Sequence, residues 1–119
     1  MLVVFANNQT LVADASSTVT ITTDPVAVGR NNRATGVTNV HSMFNAGTSG
    51  LMWHMEISMD GQTWVTQGPS QAAKTSAGDE LATQSTVTGV YARLSISYQA
   101  SASGIGATTF DIHVNFDET

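Results

Sequence analysis

Apolar and polar residues alternate with a period of two along much of this chain, and that period puts successive side chains on opposite faces of an extended strand. From Leu51, one face carries Leu51, Trp53, Met55, Ile57 and Met59, and the other Met52, His54, Glu56 and Ser58. The pattern returns in Val90, Ala92, Leu94, Ile96 and Tyr98, set against Tyr91, Arg93, Ser95, Ser97 and Gln99. It closes in Phe110, Ile112, Val114 and Phe116, set against Asp111, His113, Asn115 and Asp117. Near the start, Val19, Ile21 and Thr23 alternate with Thr18, Thr20 and Thr22 until Asp24-Pro25 ends the run. Residues 2–5, 37–44 and 81–87 are further strand candidates. Asp60-Gly61 predicts a type I′ hairpin, with positive φ at both central residues and a returning strand over 63–67. Residues 28–36, 68–80 and 100–107 are rich in Gly, Ser, Asn, Gln and Ala and predict loops. About seven or eight strands at this spacing predict an all-β fold, a single antiparallel β-sandwich or jelly-roll-like domain.

Composition supports that reading and narrows the partners. The chain has 119 residues, the length of one domain, and only 11% of them are charged, so its polarity is carried by Thr, Ser, Asn and Gln. A net charge of -5 with four basic residues, Arg30, Arg33, Lys74 and Arg93, leaves no cationic stripe for phosphates. The expected partners therefore exclude nucleic acid and membrane. With no cysteine, the fold depends on packing or oligomerisation, without disulfides or thiolate metal sites. Residues 1–5 lack the charged n-region and the length of a signal peptide, which gives the expectation of a soluble, unexported chain.

No constellation of residues specifies a chemistry. His41, His54 and His113 are not spaced as zinc ligands, and Asp111, His113 and Asp117 alternate as any solvated strand face does. Serine is abundant, but there is no G-x-S-x-G elbow. The expectation is no enzyme, no cofactor and no metal site. Trp53 belongs to the core face. Trp64 and Tyr91 are the aromatics that an alternative reading, a glycan-binding sandwich module of a phage tail, fibre or other surface structure, would use.

Ser58-Met59-Asp60-Gly61-Gln62-Thr63-Trp64 forms a compact structural unit in which Asp60, Gly61, Trp53 and Trp64 are the structural residues. It resembles the S-x-D-G-x-x-W hairpin of discoidin-like domains and of bacteriophage virion β-sandwiches. It is also similar to the Asp-box of sialidase-like propellers, but lacks one residue between Asp and Gly and has no second copy. As a whole the chain resembles, in type and composition, the small bacteriophage capsid decoration, or cement, proteins. That resemblance implies a virion structural protein on the capsid surface, made in the host cytoplasm, typically a homotrimer that clamps the lattice of major capsid protein.

The apolar run Leu2, Val3, Val4 and Phe5, before the turn-like Asn7-Asn8, gives residues 1–8 two readings: an edge strand of the domain's own sheet, or an assembly arm that adds a strand to a neighbour. With Arg30 and Arg33, which hold half the basic charge in one polar loop, these residues make up the expected interface. On the arm reading, deleting residues 1–6 weakens oligomer formation or capsid binding and leaves the monomer's cooperative unfolding intact.

Overall fold

The computed structural model describes residues 1–119, and every regular element in it is a strand. In chain order these are β1 (Leu2–Ala13), β2 (Thr18–Thr22), β3 (Val26–Ala27), β4 (Arg33–Phe44), β5 (Ala46–Ser58), β6 (Val65–Lys74), β7 (Gly78–Leu81), β8 (Ser85–Thr86), β9 (Tyr91–Ala100) and β10 (Gly106–Asp117). One sheet, A, has the order β1-β10-β4-β7, with β8 also on β4; the other, B, has the order β2-β9-β5-β6, with β3 also on β9. All pairings are antiparallel. The domain is therefore the all-β, jelly-roll-like sandwich that the alternation predicts.

The core is the sum of the inward half of each alternation. Leu51, Trp53, Met55 and Ile57 of β5 and Ala92, Leu94, Ile96 and Tyr98 of β9 face Ala34 and Val40 of β4 and Phe110, Ile112, Val114 and Phe116 of β10. Burying an aliphatic or aromatic side chain of this kind contributes about 1.5–3 kcal/mol. Two hydrogen bonds from buried aromatic side chains cross between the sheets, and both end on β4. The Trp53 indole Nε1 donates to Thr38 Oγ1 at 2.6 Å, and the Tyr98 hydroxyl donates to the Phe44 carbonyl at 2.8 Å. Burial also raises the pKa of Tyr98, which favours the protonated phenol that this bond requires.

Several boundaries differ from those expected. Residues 68–80 are not a loop, since β6 runs on to Lys74 and β7 begins at Gly78. Their small polar residues suit an edge strand, and Pro69 is tolerated there because an edge position needs no donor on its open side. Likewise β4 begins at Arg33, so only the first part of the expected 28–36 loop is irregular. Met59 does not join the core: β5 ends at Ser58, which is itself buried, and Met59 is 67% exposed.

The tip after Ser58 is not a two-residue type I′ turn, because only Gly61 has positive φ, at 78°, and the returning strand starts at Val65. Side chains build the tip instead. Ser58 Oγ accepts from the backbone N–H groups of Asp60 and Gly61 at 3.2 and 2.8 Å, and donates to Asp60 Oδ1 at 2.9 Å. Asp60 Oδ1 in turn accepts from the N–H groups of Gln62 and Thr63, each at 2.8 Å. These bonds from Thr63 and Gln62, then that from Ser58, hold the Asp60 pKa down to about 2.

The N-terminal run takes the first of its two readings. Leu2, Val3 and Val4 pair with Asn115, Val114 and His113 of β10, and Phe5 meets Phe116 edge to face at 6.4 Å between ring centroids. Val3 and Phe5 pack on the core, so residues 1–8 are an edge strand of this domain and not a free arm.

Two outcomes follow from this packing. Trp53→Ala should cost about 3–5 kcal/mol through lost burial and a cavity. Gly36→Val should cost about 1–3 kcal/mol by overpacking, because even the first atom of a side chain there would lie 2.7 Å from Cζ2 of Trp53. Chemical denaturation measures both, and an unchanged midpoint for either variant contradicts the packing described.

The tip gives a third. Gly61→Val should lower the thermal midpoint, because a β-branched residue resists φ of 78°. The folded-state pKa of Asp60 lies below its unfolded value of about 3.9, so the carboxylate's contribution is complete above that value and is lost as pH falls towards about 2. Amide resonances of Gln62 and Thr63 should titrate with that low midpoint and lose the step in Asp60→Asn. A midpoint near 4 contradicts the bonding pattern.

Candidate functional site

With the inward positions committed to the core, function falls to the two outer faces, and these differ in character. On sheet A the registers set apolar side chains into cross-strand rows, in which directly opposed residues lie about 4.5–5.5 Å apart. One row runs Val4, His113, Val37 and Leu81 across β1, β10, β4 and β7, with Leu2 on β1 beside it. A second runs Val12, Ala107 and Phe44 across β1, β10 and β4, close to the exposed Ile105. Phe44 and Leu81 are 66% and 70% exposed. Between the rows the face is polar. There Asp111 accepts from the Asn8 N–H at 2.6 Å and meets His41 Nε2 at 2.9 Å. The Asn8 bond leads in holding the Asp111 pKa below its usual value, against an opposing desolvation cost, with His41 and His113 adding to it.

The expected interface residues divide on this face. Leu2 and Val4 point outward, whereas Val3 and Phe5 are taken up by the core. Arg30 is exposed in the loop before β4. Arg33 is not free: its Nε lies 2.6 Å from Asp117 Oδ1, and that hydrogen bond raises the arginine pKa and lowers the aspartate's. The rows at Val12, Val37, Phe44 and Leu81 were not among the expected residues. Each is unremarkable in its own strand, and only the register between strands lines them up.

The outer face of sheet B is rich in hydroxyls. Thr20, Ser95, Ser97, Met52, His54 and Ser70 of that face, with Trp53 and Gln71 from its core side and Glu80–Thr83 from sheet A, border a cleft of about 640 Å³ that runs round the edge of the sandwich. Gln71 is 3% exposed, and neither its Nε2 nor its Oε1 has a hydrogen-bond partner. No sequence signal marked this residue, since it lay in a segment expected to be a loop.

Beside the cleft, Arg93 Nε donates to Glu56 Oε1 at 2.8 Å, and His54 Nε2 lies 3.4 Å from Glu56 Oε2. Desolvation works to raise the Glu56 pKa, but the hydrogen bonds and charges of Arg93 and His54 outweigh it and hold the carboxyl below its usual value. The Arg93 guanidinium stands 4.1 Å over the Trp64 ring, a cation–π contact that contributes about 0.5–1 kcal/mol at such a site. Trp64 is thus half-buried with one face taken, and Tyr91 is half-buried next to the tip at Gly61, so neither is the open aromatic platform that the glycan reading assigned to them.

No protein-family model matches the chain, and no curated protein matches it in sequence. Solved structures do match the fold. The VP2 subviral particle of infectious bursal disease virus is similar over 99% of this chain and 32% of that one, with a TM-score of 0.63 and 14% identity. The PBSX exported protein XepA is similar over 100% of this chain and 37% of that one, with a TM-score of 0.60 and 8% identity. A family 16 carbohydrate-binding module is similar over 94% of this chain and 77% of that one, with a TM-score of 0.57 and 9% identity. The chain spans about a third of the length of the first two. At these identities the likeness is one of fold: a β-sandwich common to a viral capsid protein, a PBSX exported protein and a carbohydrate-binding module.

Proposed function

We propose that the protein is a virion structural protein, a capsid decoration or cement subunit that docks the outer face of sheet A onto the lattice of the major capsid protein and acts by buried surface, not by catalysis. The observation that carries this reading is the pair of apolar rows on that face, Val4-His113-Val37-Leu81 and Val12-Ala107-Phe44. Val4, Val12, Val37, Phe44 and Leu81 are all exposed on this one face, and exposed large apolar side chains gathered in rows suit a surface that another protein covers. The polar band between the rows fixes register, much as polar groups do within other interfaces. A capsid lattice suits two separated rows, since a clamp must touch neighbouring subunits together. Support also comes from the resemblance of type to phage cement proteins and from the sandwich shared with a viral subviral particle. The free edge of β1, the outermost strand of sheet A, offers backbone groups to a second copy, in keeping with the trimeric arrangement of such proteins.

Because residues 1–6 form part of β1, deleting them should lower stability as well as binding and cannot separate the two. Phe44→Glu and Val4→Glu change only outward side chains. Each should reduce co-sedimentation with capsids of the encoding virus, prepared without this chain, by about ten-fold or more, equivalent to ~1.4 kcal/mol. Thermal midpoints should stay within a few degrees of the parent. Full binding by both variants contradicts the assignment of this face, and native mass measurement reports whether the chain alone is a trimer.

A further inference from the structure

We propose that Asp60-Gly61 is a site of self-modification, the rearrangement of aspartate to isoaspartate through a cyclic imide, and that the hydrogen bonds made there by Ser58, Gln62 and Thr63 hold it closed in the folded domain. The tip belongs to sheet B and shares no residue with the apolar rows of sheet A, so its chemistry is independent of what docks there.

Asp60 is the only Asp or Asn in the chain that precedes a glycine. The reaction joins the backbone nitrogen of the following residue to the carboxyl carbon, and a residue with no side chain leaves that approach open. The Gly61 nitrogen attacks Cγ of Asp60, a C–N bond forms, and the amide proton and the carboxyl OH leave together as one water. A second water then opens the ring. Addition at Cγ breaks the new bond and restores aspartate; addition at the Asp60 main-chain carbonyl breaks the old one and leaves the chain running through Cβ, one carbon longer. Both residues are exposed, so water reaches them.

The tip opposes both requirements of ring closure. Bringing the nitrogen onto Cγ turns ψ and χ1 of Asp60 together. Rotation about ψ carries the Gly61 N–H away from Ser58 Oγ, which accepts it at 2.8 Å. Rotation about χ1 carries Oδ1 away from three donors, the Ser58 hydroxyl at 2.9 Å and the N–H groups of Gln62 and Thr63, each at 2.8 Å. The second requirement is a protonated carboxyl, since an ionised one has no OH to lose, and the same donors keep Asp60 charged down to about 2. Rearrangement would move the carboxylate onto a different carbon and lengthen the main chain just ahead of Trp64, whose ring holds the Arg93 guanidinium.

The test is to age the full chain at about pH 5, folded and in denaturant, where a carboxyl held down to about 2 is protonated at least about ten-fold less often than one at ~3.9. Peptide mapping reads isoaspartate at residue 60 as a second chromatographic form of unchanged mass, and the imide as a form lighter by one water. The folded parent should rearrange at least about ten-fold more slowly than the denatured chain, the ratio set by that protonation. Ser58→Ala should close most of the gap; Ser58→Cys, of nearly the same size but a weaker acceptor, serves if the alanine variant does not fold. Gly36→Val, destabilised in the core with the tip untouched, should age as slowly as the parent. The proposal is overturned if folded and denatured parent rearrange equally fast, if residue 60 yields no isoaspartate in either, or if the folded Ser58 variants age as slowly as the parent. Equal rates for Gly36→Val and Ser58→Ala would also overturn it, since they assign the reaction to global unfolding and not to the tip.

Discussion

The contact of Trp53 with β4 is the constraint on which the rest of the sandwich depends. The indole crosses from sheet B, lies against the bare backbone of Gly36 and donates its N–H to the buried Thr38 hydroxyl. A ring of this size can reach the opposite sheet only where the facing residue has no side chain, and its N–H needs a buried acceptor at the same spot. One residue thus fixes the spacing of the sheets and the register of β5 over β4. Tyr98 repeats the device further along, where its hydroxyl reaches the Phe44 carbonyl beside Gly106. A purely apolar core could slide, whereas hydrogen bonds at two points hold one alignment.

That alignment determines what the outer faces present. Fixing β4 inward at Ala34, Gly36, Thr38 and Val40 turns Val37 outward, and the irregularity between Thr109 and Phe110 of β10 shifts the pairing so that Phe44 faces outward as well. The apolar rows of sheet A are therefore a consequence of core register. On sheet B, the inward commitment of β5 and β9 leaves their His and Ser positions, His54, Ser95 and Ser97, outside.

Charge is handled locally on both faces. Arg33 with Asp117, Arg93 with Glu56 and His41 with Asp111 each pair within the domain. Exposed pairs of this kind add little stability. Their effect is to leave few uncommitted cations on a chain of net charge -5.

The sequence by itself determined the strand content, the β-sandwich class and most of the core. Those follow from the period-two alternation at Leu51–Ile57, Ala92–Tyr98 and Phe110–Phe116, a local property that burial then confirms residue by residue. Local patterning failed where neighbours decide. Met59 continues the alternation yet leaves the strand, because Ser58 and Asp60 capture the backbone of the tip. The stretch holding Pro69 and Gln71 looks like a loop and is a strand, because its backbone pairs along the side of β5 that β9 leaves open. The segment Leu2–Phe5 admits two readings until β10 is known to pair with it. The candidate surface belongs wholly to tertiary structure: the rows on sheet A join residues up to about a hundred positions apart. The solitude of the Gln71 amide likewise depends on every side chain packed around it. Periodicity specifies which way a side chain points; only the packed fold specifies what it meets.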